Sequence, residues 1–393
     1  MKIARIETIR VAEQPQVIWV QVHTDTGLVG LGETYYAPTV VQAAVHDFFG
    51  PLLIGRDPFE IERHWEAMFR LSDHAGFGGG EMRAISALDM ALWDIKGKSF
   101  GQPIYRLLGG ASPDSVAAYT TFGFNVYSKE ELVALAQEMV RSGHGPLKYQ
   151  SVAANRGWDV SVDVERIRAV REAIGDQPRL IIDCNGKFDY IHARELLTRI
   201  EPLDITCVDH PEHTRDLRLM AELRKCTSIP LAARAISESP WENRDLIQAG
   251  AVDVMHANVL DGGGYTTCLK IAHMAEMFHL PLATGGGWYL QNGQLIAGVS
   301  NGWMTEFHLL RERIYEMVYI DPPVAKDGRL PLPDKPGIGL ELNQDAVAEF
   351  PGPSGPASHK LIDKLARIKS PVVPLCKGGY RGIFFNARYS SRV

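Results

Sequence analysis

No run of eighteen apolar residues occurs in the 393-residue chain, so a membrane-spanning helix is not expected. The first residues, MKIARIETIRVAEQ, alternate apolar with charged positions and lack the unbroken apolar stretch of a secretory signal, so the expected location is the cytoplasm. Cysteine is sparse: Cys184, Cys207, Cys226, Cys268 and Cys376 are scattered, odd in number and without a CxxC pair. That disfavours both a disulfide framework and a thiolate metal site. There is no long basic stripe, and the net charge is −6, which excludes general affinity for nucleic acid, since that needs many phosphate-facing Lys and Arg. No GxGxxG follows the first strand pattern, which disfavours a dinucleotide fold. A globular protein acting on small molecules is what these absences leave.

The length itself asks for two domains, or a barrel with an appended domain. KIARIETIRV and VIWVQVHTDTG alternate as strands and lead into Gly27-Leu-Val-Gly30-Leu-Gly32-Glu33, which has hairpin and turn chemistry. From about Val40 to Gly97 the spacing is helical, with Met82, Ile85, Leu88, Met90, Leu92, Trp93 and Ile95 interleaved with Asp89, Asp94 and Lys96. Gly97 to Pro113 is rich in Gly and Pro and marks the domain boundary. From Ser115 onward eight apolar runs (SVAAYTT, PLKYQ, RLIID, ITCV, IPLAA, VDVMH, LPLAT and WMTEF) alternate with amphipathic stretches. Eight βα units predict a closed (β/α)8, TIM-like barrel in preference to a doubly wound sheet. The expected division is a capping α+β domain over 1–113, the barrel over 114–320, a Pro-rich return toward the cap over 321–375 and a flexible tail over 376–393.

In such barrels the chemistry sits at the carboxyl ends of the strands. Those ends carry Lys148, Asp183, Asp209, Ala235, Asn258, Gly285 and Glu306, at intervals of 35, 26, 26, 23, 27 and 21 residues, each one circuit of a βα unit. Asp183 and Asp209 each terminate an apolar run, and a buried carboxylate needs a cation. A hard divalent ion such as Mg2+ is one answer. The other is an Asp that caps the following helix. Lys148 is a candidate to hold a substrate carboxylate, or to act as a base if burial and neighbouring cations lower its pKa. A Lys solvated at the rim is the plainer reading. His210, His213 and His256 lie near the same ends and are of the residue type that moves protons near neutral pH. The glycine triplets 262–264 and 285–287 serve tight turns or close approach to a ligand.

The chain resembles the mandelate racemase and muconate lactonizing enzymes of the enolase superfamily over roughly residues 1 to 350. The resemblance lies in GLVGLGET at Gly27–Thr34, SALDMALWDIKGKSFGQPIYRLLGG at Ser86–Gly110, and DVERIRAVREAIG followed by LIIDCNG at Asp163–Gly186. It implies a modified barrel under an α+β cap, Mg2+ on three carboxylates, proton abstraction α to a carboxylate, and a metal-stabilised enediolate. It also implies a symmetric homo-oligomer and cap loops, near Glu13–Ile18 and Asp73–Gly80, that close over the pocket.

Carried over by position, Asp183 and Asp209 match the first two metal ligands, with Asp209 in place of a Glu. The third falls on Ala235, which has no ligand atom; Arg234 precedes it and Glu238 is the nearest later carboxylate. The second-strand motif Lys-x-Lys is here Lys148-Tyr149-Gln150, so the carboxylate-orienting Lys matches and the usual base is a Gln. The racemase Asp–His pair falls on Asn258 and Gly285, the muconate-branch Lys is absent near Asp261, and Glu306 matches the eighth-strand acid.

Three readings follow. The first is a lyase or isomerase, a dehydratase or epimerase of a sugar acid, with Mg2+ on Asp183, Asp209 and Glu238 and the substrate carboxylate oriented by Lys148 and Glu306. Proton transfer then falls to His210, His256 or Tyr149, and substrate contacts to Gln150, Arg234, Asn258 and Asp261. In the second, Arg234 replaces the metal and pairs with Asp183 and Asp209. The third is a carboxylate-binding protein without catalysis.

Overall fold

The computed structural model describes residues 1–73, 78–110, 114–123, 127–151, 159–213, 215–234 and 239–349. Ala235, Glu238, part of the expected lid over Asp73–Gly80, Cys376 and the tail from 376 lie outside the described residues. The four described cysteines are free thiols, and no described helix is long and apolar enough to cross a membrane.

The alternating opening segments form an antiparallel meander of β1 (Ile3–Ile9), β2 (Val17–Thr24) and β3 (Val29–Tyr35). Short helical turns over residues 38–53 lead to two longer helices, α1 (Ile61–Asp73) and the 22-residue α2 (Gly79–Phe100). The GLVGLGET pattern acquires a physical reason here. A Cβ on Gly30 or Gly32 would lie 2.0 Å from the Ala91 carbonyl oxygen or 1.8 Å from that of Ala87, so only glycine lets β3 lie against α2. Helix α2 runs three residues past Gly97, where a break was expected. Gly97 instead leaves room for the returning chain at Gly337, and the helix ends at Gly101 with a left-handed φ of 64°.

All eight expected barrel strands form: β4 (Ser115–Phe122), β5 (Leu147–Gln150), β6 (Leu180–Asp183), β7 (Cys207–Asp209), β8 (Leu231–Ala233), β9 (Val254–Ala257), β10 (Leu282–Thr284) and β11 (Gly302–His308). Each pairs in parallel with the next, and β11 pairs with β4 to close the barrel. After the barrel, β12 (Arg329–Pro331) adds antiparallel to β4, and the Ile338 amide reaches Asp94 on α2 at 2.8 Å. Tyr119, Ile181, Cys207, Ala232, Val254, Ala283 and Met304 pack together inside the barrel, one from each of seven strands. Since strand side chains alternate, the residue two positions on also points inward, one layer nearer the carboxyl end. That layer is Thr121, Asp183, Asp209, Arg234, His256, Gly285 and Glu306.

Buried carboxylates join cap to barrel. Glu33 on β3 accepts from Trp288 Nε1 (2.7 Å), Gln291 Nε2 and the Tyr319 hydroxyl, and Asp89 on α2 accepts from the Thr266 amide and hydroxyl. Burial, only partly offset by these donors, pushes both carboxyls up to about 7. A raised folded-state pKa gives stability that is complete below the unfolded value and lost as the pH rises through 7. Between pH 5 and 8, wild type is therefore expected to lose on the order of 3 kcal/mol relative to Glu33→Gln, because each tenfold difference in proton affinity between folded and unfolded chain is worth about 1.4 kcal/mol. Urea unfolding of the two proteins across that range measures the difference. Parallel pH profiles would contradict it.

Candidate active site

The inward layer surrounds one ammonium. Lys148 Nζ lies 3.0 Å from Asp183 Oδ2, 3.1 Å from Asp209 Oδ2 and 2.9 Å from Glu306 Oε1, so each of its three protons has a carboxylate oxygen. Only 2% of Lys148 is exposed. Burial by itself would drive the ammonium to shed its proton, but Asp183, Glu306, Tyr119 and Asp209 outweigh it and hold the pKa well above the ordinary lysine value. Lys148 is neither a rim residue nor a base of lowered pKa: its neighbours are anions, not cations. Nor are Asp183 and Asp209 helix caps. The helices that follow them, Tyr190–Ile200 and Leu217–Lys225, are capped by Asp189 and Asp216.

Three carboxylates around one ammonium do not titrate alike. Burial raises Asp183, and Lys148 only partly offsets it. For Asp209 burial is outweighed by His256, His210 and Lys148, which hold it well below the usual range; for Glu306 it is outweighed first by Lys148. Glu306 is further fixed by the Thr121 hydroxyl and the Gly287 amide.

Asp209 Oδ1 faces two imidazoles, His210 Nδ1 at 2.6 Å and His256 Nδ1 at 3.3 Å. These three residues bring ligand atoms within 4.8 Å of one another, a candidate metal group among the described residues. The hydrogen bonding assigns the tautomer of His210. The Arg234 backbone N–H must be the donor in its 3.2 Å contact with His210 Nε2, so Nε2 accepts and Nδ1 carries the proton given to Asp209. Both nitrogens of His210 are thereby spent. His256 is different: burial pushes its pKa down to about 4, so it is a neutral imidazole, and its only bonded atom among the described contacts is Nδ1. A carboxylate on Nδ1 leaves Nε2 as the basic atom. A His–Asp pair therefore exists, though not at Asn258 and Gly285 where the resemblance would place one.

A cavity of about 410 Å³ opens onto this layer and is also lined by Gln150, Asn185, Arg234, Arg311 and, from the cap, Tyr35 and Tyr36. Three larger clefts lie where the barrel strands begin; their described linings hold at most one carboxylate each, Asp327 or Glu276. Several expected residues occupy other places. Tyr149 turns away from the cavity and bonds Asp163 (2.8 Å) and Arg166 (3.0 Å) among the outer helices, because neighbouring strand residues face opposite sides. Asn258 and Asp261 stand behind the lining, buried, where both bond the Tyr35 hydroxyl. Arg234 pairs with Asp261 at 3.0 Å, not with Asp183 and Asp209, whose cation is Lys148. His213 is not in the lining, and neither is Glu13–Ile18; Val17 and Ile18 support the pocket by pairing with Tyr35 and Thr34.

Tyr35 and Arg311 are among the lining residues that escaped the sequence reading. Tyr35 had a signal, because Gly30 and Gly32 face α2 and alternation sends Leu31, Glu33 and Tyr35 to the other side of β3. Arg311, whose guanidinium carbon lies 3.9 Å from the Trp288 ring centroid, had none.

Residues 4–109 match the family described as "Mandelate racemase / muconate lactonizing enzyme, N-terminal domain", and residues 131–346 match "Enolase C-terminal domain-like". The chain is 31% identical over 350 residues to arabinonate dehydratase of Saccharolobus solfataricus, spanning 86% of this chain and 92% of that one. It is 31% identical over 371 residues to D-galactonate dehydratase of Variovorax paradoxus, spanning 88% and 94%. Among solved structures, L-talarate dehydratase from a Polaromonas species, complexed with Mg and L-glucarate, superposes with a TM-score of 0.80 at 28% identity, covering 89% of this chain and 97% of that one.

Proposed function

The chain belongs to the mandelate racemase/muconate lactonizing enzyme family of the enolase superfamily, and from that membership we propose that it dehydrates a small acid sugar. The observation that carries this reading is a cavity in which a fixed ammonium, two guanidinium groups and a carboxylate-backed neutral imidazole meet. The cations suit a substrate carboxylate and the imidazole suits its α-proton. In the proposed reaction His256 Nε2 takes the proton from the carbon next to the carboxylate. The charge that develops on the carboxylate oxygens is met by the Arg234 and Arg311 guanidinium groups, with Lys148 as the cation behind the carboxylate layer, and Gln150 orients the sugar. The electron pair of the broken C–H bond forms the double bond as the β-hydroxyl departs, giving an enol that tautomerises to a 2-keto-3-deoxy acid. Asp209 and His210 act as positioning residues for His256.

Mg2+, the ion named with the Polaromonas relative, was expected on Asp183, Asp209 and Glu238. The donor set departs from what that ion prefers. Both Oδ2 atoms of the Asp pair are engaged by Lys148, His210 has no lone pair to give in its assigned tautomer, and the third expected ligand, Glu238, lies outside the described residues. No step above is routed through a metal.

The test is NMR of wild type with arabinonate, xylonate, galactonate and glucarate, with and without added Mg2+ or chelator. The expected result is a 2-keto-3-deoxy product from at least one acid, insensitive to chelator. Saturable Mg2+ binding by calorimetry, lost in Asp183→Ala and Asp209→Ala, would return the metal to the centre of the mechanism. Saturable binding of a sugar acid without turnover would favour a carboxylate-binding protein instead.

A further inference from the structure

We propose that Tyr35, contributed by the cap, is a second catalytic residue of the cavity, which gives its phenolic proton to the departing hydroxyl. This rests on the dehydratase reading. The tyrosine is 4% exposed and lines the same cavity as Lys148 and His256. Its ring stacks on Trp288, with centroids 3.7 Å apart and planes 14° from parallel, so the hydroxyl is held at one point. There it donates to Asp261 and accepts from Asn258 Nδ2 at 3.1 Å.

The barrel makes room for this hydroxyl. Gly286, just past β10, has φ +88°, and a Cβ there would stand 3.2 Å from Tyr35 Oη and 2.7 Å from Asn258 Nδ2. Its neighbour Gly285 lies where a Cβ would be 3.6 Å from His256 Nδ1 and 3.8 Å from Glu306 Oε2. The consecutive glycines thus set the Tyr35 hydroxyl one residue further out along the chain than the base and the acid of the inner layer.

Two cations offset the Asp261 carboxylate that a phenolate would face. The Arg83 guanidinium carbon lies 4.6 Å from the Tyr35 ring centroid with its Nη2 3.8 Å from Asp261 Oδ2, and Arg234 Nη2 lies 3.0 Å from the same oxygen. As the β-carbon–oxygen bond breaks, its electron pair leaves with the oxygen, which takes the Tyr35 proton from its bond to Asp261 and departs as water. The phenolate is then stabilised by Asn258 Nδ2, while Arg83 and Arg234 offset the neighbouring Asp261 carboxylate, and solvent returns the proton after product leaves. The α-proton goes to His256, so the substrate becomes the enol plus one water.

The experiment compares wild type and Tyr35→Phe on the acid that wild type turns over, in D2O. The expected result is kcat lower by about 100-fold, KM within about threefold, and exchange of the α-hydrogen for deuterium retained, because the base is intact. An unchanged kcat, or loss of exchange together with elimination, would overturn the assignment. No turnover by wild type would overturn the dehydratase reading and the assignment with it, whereas turnover that Tyr35→Phe leaves intact overturns the assignment alone. If Tyr35→Phe does not fold, 3-fluorotyrosine at position 35 decides. Its more acidic phenol is expected to move the alkaline limb of the kcat profile to lower pH, and an unmoved limb would overturn the assignment.

Discussion

Lys148→Met is expected to abolish turnover and to cost about 3–5 kcal/mol of stability at pH 8, the range seen when one partner of a buried ion pair is removed. Three buried carboxylates share this one ammonium. Methionine keeps the length of the side chain, so the loss reports the charge and not a cavity. With the ammonium gone, Asp183, Asp209 and Glu306 repel one another and are poorly solvated, so in the folded variant they bind protons more tightly than in the unfolded chain. Groups whose folded pKa is raised stabilise at low pH and cease to do so as the pH climbs. The deficit against wild type is therefore expected to shrink markedly between pH 8 and pH 5 in urea unfolding. A variant as stable as wild type at pH 8 would show that the ammonium is not the counter-ion of this layer.

His256→Gln is expected to lower kcat by about a thousandfold, within the range that general acid–base groups supply, while affinity for the acid sugar stays within a few fold. Glutamine retains a polar group beside Asp209 but no basic nitrogen. His210→Ala is the informative contrast. Because His210 spends one nitrogen on Asp209 and the other on the Arg234 amide, its removal is expected to weaken the placement of Asp209 and cost about tenfold. The reverse order of effects, measured as kcat on the same substrate, would exchange the roles of the two histidines.

Much of this architecture is legible in the chain. Eight short apolar runs separated by amphipathic stretches predict the barrel, and its strands lie on those runs because a two-residue period and a 3.6-residue period cannot be exchanged without exposing apolar faces. Lys148, Asp183, Asp209 and Glu306 are visible as charges at the edges of apolar strands. What the chain conceals is which partner each charge takes. Arg234 and Asp209 are close in sequence terms to several oppositely charged groups, and only the closure of the barrel assigns Lys148 to the Asp pair and Asp261 to Arg234. Alternation would have separated Tyr149 from Lys148 and Gln150 at once, since adjacent residues of a strand cannot share a face. The pairing of His256 with Asp209 spans two strands and 47 positions, a relation that periodicity does not encode.

The two-residue step between the packing layer of the barrel and the layer above it has a consequence for descent with modification. Each of seven strands gives one residue to cohesion, such as Ile181 or Val254, and the next inward one, such as Asp183 or His256, to chemistry. A replacement in the upper layer leaves the lower one intact, so a lineage can exchange its reactive groups while its scaffold goes on folding. A chain 31% identical to arabinonate dehydratase, with Gly285 in the upper layer where a reactive group was expected, fits that separation.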